Sequence, residues 1–211
     1  MKLHFNKFSS VAMALAAAGL AAGCASSGVQ NPSGVPVTEL RPDERGFVAG
    51  TGIESQDLVA VTDKMARGIL ALPQIANAQG MPCIVFDPIR NETRFPINKD
   101  LFLTRIRAQI NEKAPGKILF LARDRMEALQ RERTLKQAGQ VTANADPNAV
   151  EFKGADFFLT GVLSDLNTRT SAGISDYVHY DFQLIDARSS GIVWEMASEI
   201  KKQGLEDAAY R

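Results

Sequence analysis

Few residues in this 211-residue chain are of types that do chemistry, and the first is Cys24. It follows Leu20-Ala21-Ala22-Gly23, at the end of an apolar run from Val11 to Ala22 that is preceded by Lys2 and Lys7. A charged start, an apolar run and small residues before a cysteine have the layout of a bacterial export signal whose cysteine is acylated and becomes the new N-terminus. Val11 to Gly23 is thirteen residues, well short of the roughly 20 that a helix needs to cross the hydrocarbon core. Cleavage and lipidation at Cys24 are therefore expected in place of a spanning anchor. Ala21 stands where such sites usually carry Leu, and Ala25, not Asp, follows the cysteine, which favours sorting to the outer membrane.

The rest of the chain offers little for catalysis. Removing residues 1–23 takes away His4 and leaves His179 as the only histidine, so neither a His-rich metal site nor a choice of Cys-His pairs can be built. His179 lies in an alternating stretch with Tyr177 and Asp181 on its own face, where Asp181 could orient the ring, but no serine nucleophile stands out. Cys83, in Cys83-Ile84-Val85-Phe86, is expected to be a small buried hydrophobe. Asp124, Glu127 and Glu132 alternate with Arg123, Arg125, Arg131 and Arg133 and form a solvated, ion-paired face. No phosphate-binding glycine loop and no GxSxG elbow occurs. Asn91-Glu92-Thr93 matches a glycosylation sequon but behind a bacterial signal is read as turn chemistry. No enzyme, cofactor or metal is expected. The mature chain has 22 basic residues (24 less Lys2 and Lys7) against 24 acidic ones, which argues against nucleic acid as a partner.

The elements that would carry a surface are more legible. Residues 24–52 form a lipidated N-terminus and tether, rich in Gly, Pro and Ser and unable to bury enough apolar surface to offset chain entropy. Its 28 residues after Cys24 reach about 95 Å fully stretched and roughly 30 Å as a coil. A globular domain is expected over 53–211. Ser55 is the expected N-cap of a helix carrying Leu58, Val61, Met65, Ile69 and Leu72 up to Pro73. Cys83–Phe86 reads as a buried strand, 90–100 as a polar loop, and Leu103, Ile106 and Ile110 as the face of a helix capped by Asn98 or Asp100. Residues 117–122 read as a second buried strand, followed by a charged helix from Asp124 to Ala138 and a short helix at Asp146-Pro147. Residues 156–165, 177–185 and 192–196 alternate as strands, with a turn over 186–191. The expected fold class is α/β (α+β), one two-layer domain with a mixed sheet covered by helices and a C-terminal β-meander.

The lipidation motif, the tether, GIESQDLVAVTDKM (52–65), CIVFDPIRNETRFPINKD (83–100), GADFFLTGVL (154–163) and FQLIDARSSGIVWE (182–195) together resemble the penicillin-binding-protein activator lipoproteins of the LpoB type. The resemblance spans essentially the whole mature domain. It implies a non-catalytic, periplasm-facing lipoprotein of the outer membrane that binds and stimulates a bifunctional penicillin-binding protein in cell-wall synthesis. It also implies a monomeric domain. The tether departs from the better-known members, whose tethers are longer and proline-rich.

A docking surface is expected at the loop carrying Arg90, Asn91, Arg94 and Phe95, since Arg and Phe are typical interface anchors; the other reading buries Phe95 and leaves the arginines solvated. The C-terminal residues 201–211 are a further possible contact. The alternative function is a ring-forming assembly lipoprotein of a secretion, curli or exopolysaccharide export system, which the short tether would suit.

Overall fold

The computed structural model describes residues 37–46, 50–143 and 152–205. Cys24, the expected helix at Asp146-Pro147 and the last six residues lie outside the described residues. The chain separates into Met1–Arg41 and Pro42–Arg211; residues 37–41 form no helix or strand, and all that follows concerns the second unit.

The first helix, α1, spans Ser55–Ala71. Its N-cap is Glu54, not Ser55: Glu54 and Asp57 form a reciprocal capping box, with Asp57 Oδ2 accepting from Glu54 N at 2.9 Å. The three- and four-residue spacing places Val61, Met65 and Ile69 in the core, each fully buried. Leu72 and Pro73 end the helix, and a single turn, α2, covers Pro73–Ala76.

The strands β1 (Cys83–Phe86), β2 (Arg90–Asn91) and β3 (Leu119–Phe120) are short, whereas β4 (Phe157–Thr170), β5 (Gly173–Asp186) and β6 (Ile192–Gly204) are long. They form one six-stranded sheet in the order β3-β1-β4-β5-β6. β1 is parallel to β3 and β4, and β4, β5 and β6 run antiparallel. β2 also pairs parallel with β4, at Val162 and Leu163, so β1 and β2 lie one after the other along the same edge of β4. The mixed sheet with a C-terminal meander is therefore present.

Helix α3 (Asp100–Lys113) buries Phe102, Leu103, Ile106 and Ile110. Its N-cap is Lys99, while Asn98 Oδ1 accepts from the Asp100 N–H at 3.2 Å. The stretch 117–122 contributes only two strand residues, both half-buried. A 3-10 turn (Arg123–Arg125) then leads into α4 (Met126–Gln137), none of whose residues is buried.

Alternation along β5 defines the layers. Val178, Tyr180, Phe182 and Leu184 are buried and belong to the same core as Val61, Met65, Ile69 and Ile106. Phe102 from α3 meets Tyr180 and Phe182 with ring centroids 5.7 and 6.1 Å apart. The other face of β5 carries Tyr177, His179, Asp181 and Gln183, all half-exposed. Gly161 faces β5 with no room for a side chain: a Cβ there would lie 2.6 Å from the Asp181 carbonyl oxygen. Gly173 opens β5 at φ +140°, a conformation that disfavours any side chain.

Candidate functional site

The loop from β2 to α3 is built by its own polar residues. Asn91 Nδ2 donates to the Phe95 carbonyl at 2.9 Å, and Asn91 Oδ1 accepts from the Thr93 amide (3.1 Å) and hydroxyl (2.7 Å). This side-chain turn leaves the sequon residues occupied with local geometry. Phe95, the aromatic ring of the loop, drops into the core at 8% exposure. Arg94 turns the opposite way from a free anchor. Its Nη2 donates to both carboxylate oxygens of Asp176, at 2.7 and 2.6 Å, and its Nε lies 3.7 Å from Asp165.

Asp176 is fully buried on β5 and also accepts from Asn167 Nδ2 at 2.7 Å. A buried carboxylate needs such partners, because burial strips its hydration. The Arg94 guanidinium also stands 4.8 Å from the Phe95 ring centroid. So the loop has structural need of both residues: Phe95 is buried, as the other reading of the loop has it, and Arg94 is held by an ion pair to a residue 82 positions away. Arg94 still keeps 41% of its side chain in solvent, and Arg90 keeps 71%, with only a 3.8 Å contact to Glu92. Of the four expected docking residues, the structure thus gathers Asn91, Arg94 and Phe95 into one clamped loop and leaves Arg90 on its rim.

A second buried ion pair lies at the same end of the sheet, where Lys202 of β6 stands across from Asp176 of β5. Lys202 Nζ donates to Asp57 Oδ2 at 2.6 Å and to the Gly52 carbonyl at 2.8 Å. It ties β6 to the entry of α1. Tyr180 lies in the core with its hydroxyl unpartnered, and burial, then the nearby Asp57 charge, push its pKa well above the ordinary phenol value.

The open face brings together what the sequence scattered. Ser164, His179 and Glu199 stand in one cross-strand row over β4, β5 and β6. Those are the residue types of a hydrolase triad. His179 Nδ1 lies 3.7 Å from Glu199 and 3.5 Å from the Tyr177 hydroxyl, whereas Asp181 accepts from Gln183 at 3.0 Å and does not orient the ring. No hydrogen bond joins Ser164 to the ring, so the three side chains are not wired as a triad. Burial, then Glu195, raise the Asp181 pKa. Cys83 is buried and free, and no group of three or more potential metal ligands exists among the described residues.

Fold and geometry define a small α+β domain with a six-stranded mixed sheet, buried ion-pair clamps and exposed rims. Residues 57–200 match the family model described as peptidoglycan-synthase activator LpoB, and the chain belongs to that family, the one its motifs resemble. Among solved structures, the C-terminal domain of LpoB from Salmonella enterica is similar at 14% identity and TM-score 0.38, covering 64% of this chain and 94% of that one. The corresponding Escherichia coli domain gives 14% identity and TM-score 0.39, covering 68% and 98%. The lipoprotein GNA1162 from Neisseria meningitidis gives 22% identity and TM-score 0.36, covering 58% and 83%. Nothing among the curated proteins matches.

Proposed function

We propose that this protein is a non-catalytic activator that stimulates a bifunctional penicillin-binding protein from the periplasmic side of the outer membrane. The observation that carries the reading is the extent of the family match. Residues 57–200 run from the first turn of α1 through nearly all of β6, and so include every strand of the sheet and both core helices. Acylation of Cys24 anchors it, and the 28 residues from Ala25 to Gly52 allow the domain to stand at most about 95 Å from the membrane. That reach favours a synthase that itself extends toward the outer membrane.

The docking patch in this reading is the rim of the clamped loop. Arg90 supplies an exposed charge, the solvent side of Arg94 a second, and Asn91 and Phe95 hold the loop in shape beneath them. Pull-down from membranes with the lipidated protein is expected to recover a bifunctional synthase, and Arg90→Glu is expected to reduce that recovery with folding intact. Recovery of no such synthase would sink the proposal. Unchanged recovery with Arg90→Glu would remove the patch and leave the activator role standing.

A further inference from the structure

The carboxyl ends of the parallel strands β1 and β3 and the start of α3 border a cleft of about 280 Å³ that the docking loop does not use. Crevices outside the carboxyl ends of parallel strands are where open α/β sheets take small ligands. Its size lies near the lower end for ligand clefts, enough for a group the size of an amino acid and too small for a nucleotide. Phe86, Leu103 and Leu121 give it an apolar lining. Its charges are arranged unusually. Asp124 is paired with Arg125 at 3.2 Å, and Arg123 donates to the Lys153 carbonyl at 2.7 Å. Asp87, Asp100 and Arg107 line the same cleft, yet make no ion pair with each other or with any described residue.

Opposite charges in one small cleft close on each other unless the backbone or packing holds them apart. Backbone placement sets where the two acids stand, and stacking sets where the arginine stands. The backbone of Asp87 is placed by its N–H, which donates to the Leu159 carbonyl (3.0 Å), and by Pro88 after it, and that of Asp100 by the first turn of α3. Arg107 lies over the Phe86 ring, 5.5 Å from its centroid. The cleft is therefore lined by two carboxylates and the Arg107 guanidinium that make no ion pair with one another, with Arg123, bound to a neutral carbonyl, as a second cation. A ligand that satisfies charges of both signs carries an ammonium and a carboxylate on one short frame.

We propose that this cleft binds a zwitterionic amino-acid group, of the kind that the free end of a diamino acid presents on a wall peptide. Asp87 and Asp100 take the ammonium and Arg107 the carboxylate. The wall peptide as source rests on the activator reading; the zwitterion chemistry rests only on the cleft.

The test is calorimetry on the full chain with three probes. They are a tripeptide ending in meso-diaminopimelate, the same peptide ending in Lys, which lacks the side-chain carboxylate, and free D-alanine. The diaminopimelate peptide is expected to bind about ten- to hundredfold tighter than the lysine peptide, the range that one charge-assisted hydrogen bond supplies. Arg107→Gln should erase that preference and Arg107→Lys keep most of it, while D87N/D100N weakens both peptides alike. Equal binding of the two peptides, an undiminished preference in Arg107→Gln, or no heat from any probe at millimolar concentration overturns the site. Binding of D-alanine alone overturns the wall-peptide source. Synthase stimulation, measured separately on the same wild-type preparation, bears on the activator reading and not on the cleft.

Discussion

Replacing Arg94 with Ala separates folding from docking in the loop. The substitution leaves fully buried Asp176 without its 2.6 and 2.7 Å contacts, holding only the 2.7 Å bond from Asn167. Removing one partner of a buried ion pair costs about 3–5 kcal/mol. The 41% exposure of Arg94 admits water to the carboxylate once the side chain is gone, which lowers the expected cost to about 2–3 kcal/mol. With a urea m-value of about 2 kcal/mol/M, the unfolding midpoint should fall by about 1–1.5 M at unchanged m. Arg90→Ala is the control. Its 71% exposure and 3.8 Å contact predict a change within about 0.5 kcal/mol. Equilibrium urea unfolding of both variants, followed by circular dichroism, makes the comparison. An Arg94→Ala midpoint equal to wild type would refute the clamp and return Arg94 to the free surface. The clamp also dictates how docking is probed: charge reversal at Arg94 confounds stability with binding, and Arg90 alone gives a clean reading.

Tyr180→Phe removes a buried hydroxyl that has no partner among the described residues, so thermal unfolding should show it neutral or more stable than wild type. Gly161→Ala puts a methyl 2.6 Å from the Asp181 carbonyl and 3.0 Å from the Phe182 ring, and should lose about 1–3 kcal/mol in urea unfolding through strain at the β4–β5 pairing. Burial, then Glu195, raise the Asp181 pKa above its unfolded value. The ionised group is thus penalised in the fold at neutral pH, and the penalty is relieved as pH falls through the folded pKa. Asp181→Asn should accordingly raise the melting temperature at pH 7 and leave it unchanged once pH is well below the ordinary carboxylate range.

How much was legible depended on whether a contact is local. The helix faces Val61-Met65-Ile69 and Leu103-Ile106-Ile110 and the strand Cys83–Phe86 follow from spacing within one element, and each is where the pattern puts it. Strand lengths were less legible. Beyond Asp165 both faces of β4 are solvated, so residues 166–170 show no alternation even though they pair fully with β5. β6 continues to Gly204 for the same reason, as an edge strand with weak patterning. The Arg94–Asp176 clamp joins residues 82 apart, and nothing within either segment announces it. An Asp in the alternating apolar register of β5, two residues before Val178, was the one available signal. Such a residue must be buried and therefore must be paired. Glu54 stands outside the usual Ser, Thr, Asp and Asn set of N-caps, and its role shows only in the reciprocal bonding with Asp57.

Polymerisation kinetics test synthase activation most directly. A purified bifunctional synthase from the organism that carries this chain is supplied with lipid-linked disaccharide peptide, with and without the purified full chain. Glycan-strand synthesis and cross-linking are expected to rise saturably with added wild-type protein and to rise much less with Arg90→Glu. Rates unchanged at saturating concentrations of folded wild-type protein would contradict the account.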